Sequence, residues 1–238
     1  MSLDNASTCR APELDAAARP QIDAATPPKT AAHRQVDKKH YALDKYVDRA
    51  RWLSYWEQIE AATSIAPTSA LCIGVGDDIV PSVLERAGVA VQRFDFEPAL
   101  HCDHVGDVRD IARIVAPASV DVVLCCQVLE HIPFEDFEPT LRAICAVAKR
   151  RIVVSLPYHH KRLASLALKL PKLPRLEFDW CVPRFWHPWR FDGQHYWEVG
   201  AAGHPRRHIE RVVAALGLPY RSFFARGNHY HLFFILDR

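Results

Sequence analysis

Five consecutive residues, Gly74-Val75-Gly76-Asp77-Asp78, follow a short apolar run that begins at Ser69, and an acid, Asp95, lies 21 positions after the first glycine. Glycines let a backbone pass close to a ligand, and a strand that runs into such a turn ahead of a helix opens a crevice at its carboxyl end. A carboxylate that ends the next strand can accept from both hydroxyls of a ribose. In a dinucleotide site the helix N-terminus receives a pyrophosphate. Here Asp77 and Asp78 stand at that helix start, where two carboxylates would repel phosphate. A second account of them is structural, with one capping the helix. Together these residues describe a ligand with a ribose, no phosphate and a positive centre.

A second group of residues could move a proton. His131, His159 and His195 are candidate general bases or acceptor contacts, because an imidazole titrates near neutral pH. The chain holds 13 histidines. Their spacing matches no ligand pattern and no CxxC pair is present, so no metal is expected. His229 and His231 alternate along a predicted strand and read as polar positions on one face of it.

The elements that must position these groups follow from hydrophobic periodicity. A helix is expected over Tyr46–Ile59, with Tyr46, Ala50, Leu53 and Trp56 near one face. After Pro67, near-continuously apolar strands alternate with helices. The strands are the run from Ser69, Val89–Phe96, Val120–Cys126 and Arg151–Leu156. The helices are IVPSVLER ending at Gly88, a short one in DVRDIARIV, and FEDFEPTLRAICAVAK. That alternation implies a parallel sheet covered on both faces. An amphipathic helix, His204–Gly217, then precedes two strands linked by Gly227-Asn228, read as an antiparallel hairpin. The first 38 residues contain no Phe, Tyr or Trp and cannot offset their ordering entropy, so they read as a disordered tail. The domain is expected over 39–238.

S-adenosylmethionine, with its ribose, sulfonium and ammonium, answers the description of the ligand. In the same residues the chain resembles the class I S-adenosylmethionine-dependent methyltransferases, type 11-like, and within them a bacterial subgroup. The motifs occur in order: LCIGVGDD, FDFEP, GDVRDI and DVVLCCQVLEHIP, then SLPY and GQHYWEVG. The departure is Asp78, where many members have a third glycine. The resemblance covers Tyr41 to Asp237 and implies an α/β, Rossmann-like fold with a seven-stranded, mostly parallel sheet and a C-terminal antiparallel hairpin. It implies that Gly74 and Gly76 lie against the methionine part of the cofactor, Asp95 holds the ribose hydroxyls, and Phe96 packs near the adenine. Asp107 with Val108 would meet the adenine amino edge, Gln127 would close the methionine side, and Glu130 and His131 would follow at the pocket mouth.

Between Pro157 and Gly203 the composition shifts to Trp and His, with four of the 6 tryptophans (Trp180, Trp186, Trp189, Trp197) and His159, His160, His187 and His195. The resemblance places an acceptor-side insert or lid at 157–203. Its aromatics read chiefly as a small satellite core. Lys161–Arg175 reads as an amphipathic lid helix, with an anionic membrane or lipid-linked substrate as the alternative.

Composition excludes several classes. Lys plus Arg is 30 and Asp plus Glu 28, a net charge of +2, which gives no strong nucleic-acid signal. No apolar run reaches transmembrane length, and no signal-peptide pattern opens the chain. The 7 cysteines read as buried reduced thiols, so a cytoplasmic location is expected. The expected activity is methyl transfer to an O or N acceptor, a small molecule or glycan-type metabolite. The rivals are a catalytically silent cofactor-binding sensor or partner protein, and an NAD-type oxidoreductase, which Asp77 and Asp78 disfavour.

Overall fold

The structure is a computed structural model that describes residues 47–172, 176–184, 186–187 and 189–238. The expected tail lies outside the described residues. The first helix, α1 (Arg49–Thr63), is followed by β1 (Ser69–Ile73), α2 (Ile79–Arg86), β2 (Ala90–Asp95), β3 (His104–Val105), α3 (Ile111–Ile114), β4 (Val120–Cys126), α4 (Phe134–Val147) and β5 (Ala148–Pro157). Two strands of a separate sheet come next, β6 (His160–Leu168) and β7 (Leu176–Pro183). Helix α5 (Arg206–Ala214) and strands β8 (Tyr220–Ala225) and β9 (Asn228–Asp237) complete the chain.

The main sheet has the order β3-β2-β1-β4-β5-β9-β8. Pairs among β1 to β5 are parallel, and β9 runs antiparallel to both β5 and β8. The expected seven-stranded, mostly parallel sheet is therefore formed. Alternate residues of each central strand feed different cores, which is why the strands read as unbroken apolar runs. Along β4, Val123 and Cys125 join the core that includes α4 and α5 residues, whereas Val122 and Leu124 join the core with Tyr55, Ala61 and Leu84. Cys72, Cys125 and Cys145 are buried free thiols. Among the described residues no helix is long and apolar enough to cross a membrane.

Four local expectations differ from the structure. In α1 the inward face is Ser54, Tyr55, Gln58, Ala61 and Ala62, while Trp52 and Trp56 are exposed. Polar bonds set this orientation: Asn228 Nδ2 donates to Ser54 Oγ (3.0 Å) and to Ala50 O (3.2 Å), and Tyr55 donates to Asp77. The hairpin link is Arg226-Gly227 rather than Gly227-Asn228, because Asn228 already pairs with Ala225 and Gly227 supplies the positive φ. Within Lys161–Arg175, the residues through Leu168 form strand rather than helix, and 173–175 lie outside the described residues. Leu166 and Leu168 alternate with Ala167, a period of two that suits a strand. Finally, His231 is not a surface position on β9. It is buried opposite Pro157 of β5.

The described tryptophans of the insert do not gather into a separate satellite core. Trp197 is fully buried and packs edge-on against Phe134 (5.1 Å) and Phe137 (5.0 Å) of α4, in the main core. Its Nε1 donates to Ile132 O at 3.1 Å. Trp180 and Trp186 are exposed instead.

Candidate functional site

Strands β1, β2 and β4 bring their carboxyl ends to one rim of the sheet. The sheet order reverses between β1 and β4, the position at which open α/β sheets hold ligands. The turn after β1 crosses that rim. Gly74 has φ of +75°, and a Cβ placed on it would overlap Val128 Cγ2, so only glycine lets the two segments meet. Gly76 follows with φ of +57°.

Asp95, at the end of β2, is 3% exposed. Its carboxylate accepts from Val75 N (3.0 Å) and Glu97 N (3.0 Å). Burial raises its pKa, and these backbone bonds oppose the rise. A carboxylate oxygen can accept two bonds, so acceptor capacity remains on each oxygen. Phe96 is 45% exposed and does not belong to the core.

The two aspartates of the turn are both engaged. Asp77 accepts from Tyr55 Oη and from Ile79 N (3.2 Å), whereas Asp78, at the N-cap position, makes no side-chain capping bond. Asp78 has φ of +61°, in the left-handed region that aspartate tolerates better than most residues. It thereby keeps the backbone shape of the glycine it replaces. It accepts from Arg93 Nε (2.7 Å) and Ser82 Oγ (3.0 Å). With Asp78 paired to Arg93, the repulsion that the turn presents to a phosphate rests mainly on Asp77.

Asp107 caps the turn Val108–Asp110 through Arg109 N (2.9 Å). The Arg109 guanidinium also grips it, with Nη2 at 2.5 Å, and reaches Asp136 at 3.2 Å. Burial acts to raise the Asp107 pKa, but Arg109 outweighs it and holds the carboxyl below its ordinary value. Val108 is buried beside it. An adenine amino group would therefore share Asp107 with Arg109. Gln127 stands at the end of β4 with φ of +58°, anchored by Ser155 through its backbone N (2.9 Å) and Nε2 (3.2 Å). A non-glycine residue there is a local strain of the kind found at ligand sites.

The insert returns to this rim. His159 N donates to Val199 O (2.7 Å), Val199 N to Pro157 O (3.0 Å) and Tyr196 N to Glu130 O (2.8 Å). The return brings His131, His159 and His195 into one cluster, organised by an acid that sequence reasoning missed. The Glu198 carboxylate meets His195 Nδ1 (3.0 Å), His159 Nδ1 (3.3 Å) and Tyr230 Oη (2.6 Å). Trp189 packs edge-on to His159 (5.3 Å) and stacks with His195 (6.3 Å). The His131 and His195 rings are 4.9 Å apart. Glu198 was visible in the sequence only as an acid within an aromatic stretch, three residues after His195.

The electrostatics separate these groups. Burial lowers the His159 pKa despite Glu198. Burial also acts to lower that of His195, but the bond to Glu198 and the nearby carboxylates outweigh it, so the value rises. Glu130 is fully buried, and burial pushes its carboxyl up to about 8. Neither of its oxygens has a hydrogen-bond partner.

Residues 61–154, from the end of α1 into β5, match the family described as a methyltransferase domain. In this stretch and in its sheet order the chain is similar to the class I S-adenosylmethionine-dependent methyltransferases. The cofactor of this class is S-adenosylmethionine. Among solved structures, the methyltransferase fold is shared with the 1,6-didemethyltoxoflavin-N1-methyltransferase of Burkholderia thailandensis, bound to 1,6-didemethyltoxoflavin and S-adenosylhomocysteine. That likeness has 14% identity, a TM-score of 0.54, and coverage of 84% of each chain. A SAM dependent methyltransferase from Archaeoglobus fulgidus is similar at 11% identity and TM-score 0.55, over 82% of this chain and 97% of that one. An O-methyltransferase family protein from Burkholderia thailandensis is similar at 10% identity and TM-score 0.53, over 79% of this chain and 57% of that one. No curated protein matches this chain in sequence.

Proposed function

We propose that the protein transfers the methyl group of S-adenosylmethionine to an oxygen or nitrogen of a small-molecule or glycan-type acceptor. The observation that carries the acceptor half of this reading is the grip of Glu198 on two histidines through Nδ1, which leaves Nε2 of His159 as a proton acceptor beside the cofactor rim. Likeness to both an N-methyltransferase and an O-methyltransferase family protein is consistent with either atom.

The residues present fit the cofactor. Asp95 is a buried carboxylate with acceptor capacity left for ribose hydroxyls, and Gly74 forms a cradle that a Cβ would fill. Phe96, exposed at the rim, offers a face to the adenine, and Val108 and Asp107 bound the far side. Gly76 and Gln127 line the methionine side.

When bound, S-adenosylmethionine supplies a methyl on a sulfonium, so transfer forms the acceptor–carbon bond, breaks the carbon–sulfur bond and returns that electron pair to sulfur. The protein's own tasks are orientation, exclusion of water and proton removal. His159 takes the acceptor's proton on Nε2, because its lowered pKa keeps it neutral near pH 7. Glu198 holds that ring in the tautomer with Nδ1 protonated, and Tyr230 holds Glu198. Trp189 and the returning segment, which pairs at Val199 with Tyr158, cover the cluster from water. His131 and His195 line the acceptor side of Glu130.

Calorimetric titration with S-adenosylhomocysteine beside NAD tests the cofactor half. Micromolar binding of the first and none of the second is expected. Binding of NAD alone would replace this reading with the oxidoreductase one. A screen of hydroxyl and amine acceptors with radiolabelled S-adenosylmethionine tests the transfer. Tight binding without turnover on any acceptor would favour the silent sensor.

A further inference from the structure

We infer that Glu130, His131 and His195 form a binding site for a divalent transition-metal cation at the acceptor end of the crevice. One ligand atom from each of these residues lies within 4.8 Å of those from the other two. The sequence spacing hid this site, because His195 arrives from the insert, 64 residues after His131.

Three observations converge on a cation. The first is Glu130, fully buried with both carboxylate oxygens lacking any hydrogen bond. A buried carboxylate without a partner is costly, and a metal ion is one of the few groups that resolves the cost. The second is the tautomer of His131. Its Nδ1 lies 3.0 Å from Gln194 O, and a carbonyl only accepts, so Nδ1 carries the proton and Nε2 the lone pair. The third is the tautomer of His195. Its Nδ1 lies 3.0 Å from the Glu198 carboxylate, which fixes Nε2 as the basic nitrogen there too. Metal-binding histidines almost always donate their other nitrogen to a carboxylate or backbone carbonyl, and both forms occur here.

The supports of the cluster are rigid. Tyr196 N donates to Glu130 O (2.8 Å), and Trp189 Nε1 donates to His195 O (3.1 Å). Ligand bonds of about 2.1 Å place neighbouring ligand atoms roughly 3 to 3.5 Å apart in tetrahedral or octahedral geometry. The three ligand atoms, within 4.8 Å of one another, must draw closer to reach that range, and no hydrogen bond holds the Glu130 oxygens in place. Two imidazoles and one carboxylate suit zinc, manganese, iron(II) or cobalt(II) better than calcium or magnesium, which prefer all-oxygen shells. Three protein ligands leave a coordination position open. On the methyl-transfer reading proposed above, that position takes the acceptor's hydroxyl oxygen, makes its proton more acidic, and leaves His159 to remove it. Binding of the metal itself does not depend on that reading.

The test uses the full chain stripped of metal with EDTA and titrated with cobalt(II), followed by visible d–d absorption and by calorimetry with zinc in competition. One cobalt per chain, displaced by zinc, is expected. Glu130→Gln and His131→Asn should each remove binding while leaving the far-UV circular dichroism and melting temperature close to wild type. Glu198→Gln should weaken it by about 10- to 100-fold, as loss of an outer-shell partner does. No cobalt binding by the wild type, or binding that survives Glu130→Gln and His131→Asn, overturns the site. S-adenosylhomocysteine titration of the same samples reports separately on the cofactor reading. Its failure with cobalt binding intact would remove the proposed function and leave the metal site standing.

Discussion

Val128 occupies the space into which a Cβ on Gly74 would project, so the turn after β1 and the turn after β4 are packed against each other through the absence of one carbon. Gly74→Ala should therefore disturb both turns. The left-handed φ of +75° costs an alanine roughly 1–2 kcal/mol, and displacement of Val128 adds to it. Thermal denaturation should show a lower melting temperature, and calorimetry should show S-adenosylhomocysteine binding lost or severely weakened. The double variant Gly74→Ala with Val128→Ala removes the overlap and keeps the backbone cost, so it should recover stability only in part. Full additivity of the two single changes would show that the contact does not couple them.

Asp95 has two tasks, and the variants separate them. Asp95→Ala removes the acceptor for Val75 N and Glu97 N as well as the ribose contact, so a loss of stability is expected along with weaker cofactor binding. A simple alanine test, which treats the side chain as a ligand contact alone, overlooks the two backbone donors. Asp95→Asn keeps one acceptor oxygen and should preserve more of the fold. Its S-adenosylhomocysteine affinity should drop by roughly 1–3 kcal/mol, the range for charged hydrogen bonds. Unchanged affinity in Asp95→Asn would remove Asp95 from the cofactor site.

Much of the sheet could be read from the sequence, because each central strand serves two cores and so appears as an unbroken apolar run. The places of the glycine turn after β1 and of Asp95 at the end of β2 were equally legible, since each follows directly from the end of an apolar strand. The orientation of α1 was not. Its inward face is chosen by Ser54, Tyr55 and Gln58, and hydropathy gives such polar residues no inward preference. Nor was Glu198, whose role depends on a chain return that puts it beside His159 and Tyr230, residues 39 and 32 positions away. For Asp107 the sequence did not show its second partner: Arg109, two residues on, also holds its carboxylate.

His159 and Glu198 should behave as a unit in turnover. Once an acceptor is found, His159→Gln and Glu198→Gln should each lower kcat by about 10²- to 10⁴-fold, the usual contribution of a positioned base, with little change in S-adenosylhomocysteine affinity. The double variant should be scarcely slower than either single one. Because burial places the His159 pKa below the ordinary 6.5, the wild-type rate should be flat near neutrality and fall only as pH drops through that lowered value. A kcat profile with an acid limb centred above pH 7 would exclude His159 as the base.

His231 gives the fold its own pH dependence. Burial pushes its pKa down to about 3 from 6.5, with Arg51 adding to the effect and Asp48 opposing it. Its Nδ1 is buried without a hydrogen bond. The folded state therefore binds this proton less readily than the unfolded state. Between the two values the unfolded chain carries more protons, so stability rises with pH across that window. The contribution is complete above pH 6.5 and is lost as pH falls toward 3. A fall from 6.5 to about 3, at about 1.36 kcal/mol per pH unit, corresponds to an upper bound on the order of 5 kcal/mol. Urea denaturation at stepped pH values, compared between wild type and His231→Leu, isolates the group from the carboxylates that titrate in the same range. The variant should lose stability less steeply than wild type below pH 6.5. Parallel curves would mean that His231 takes its proton in the folded state as easily as in the unfolded one.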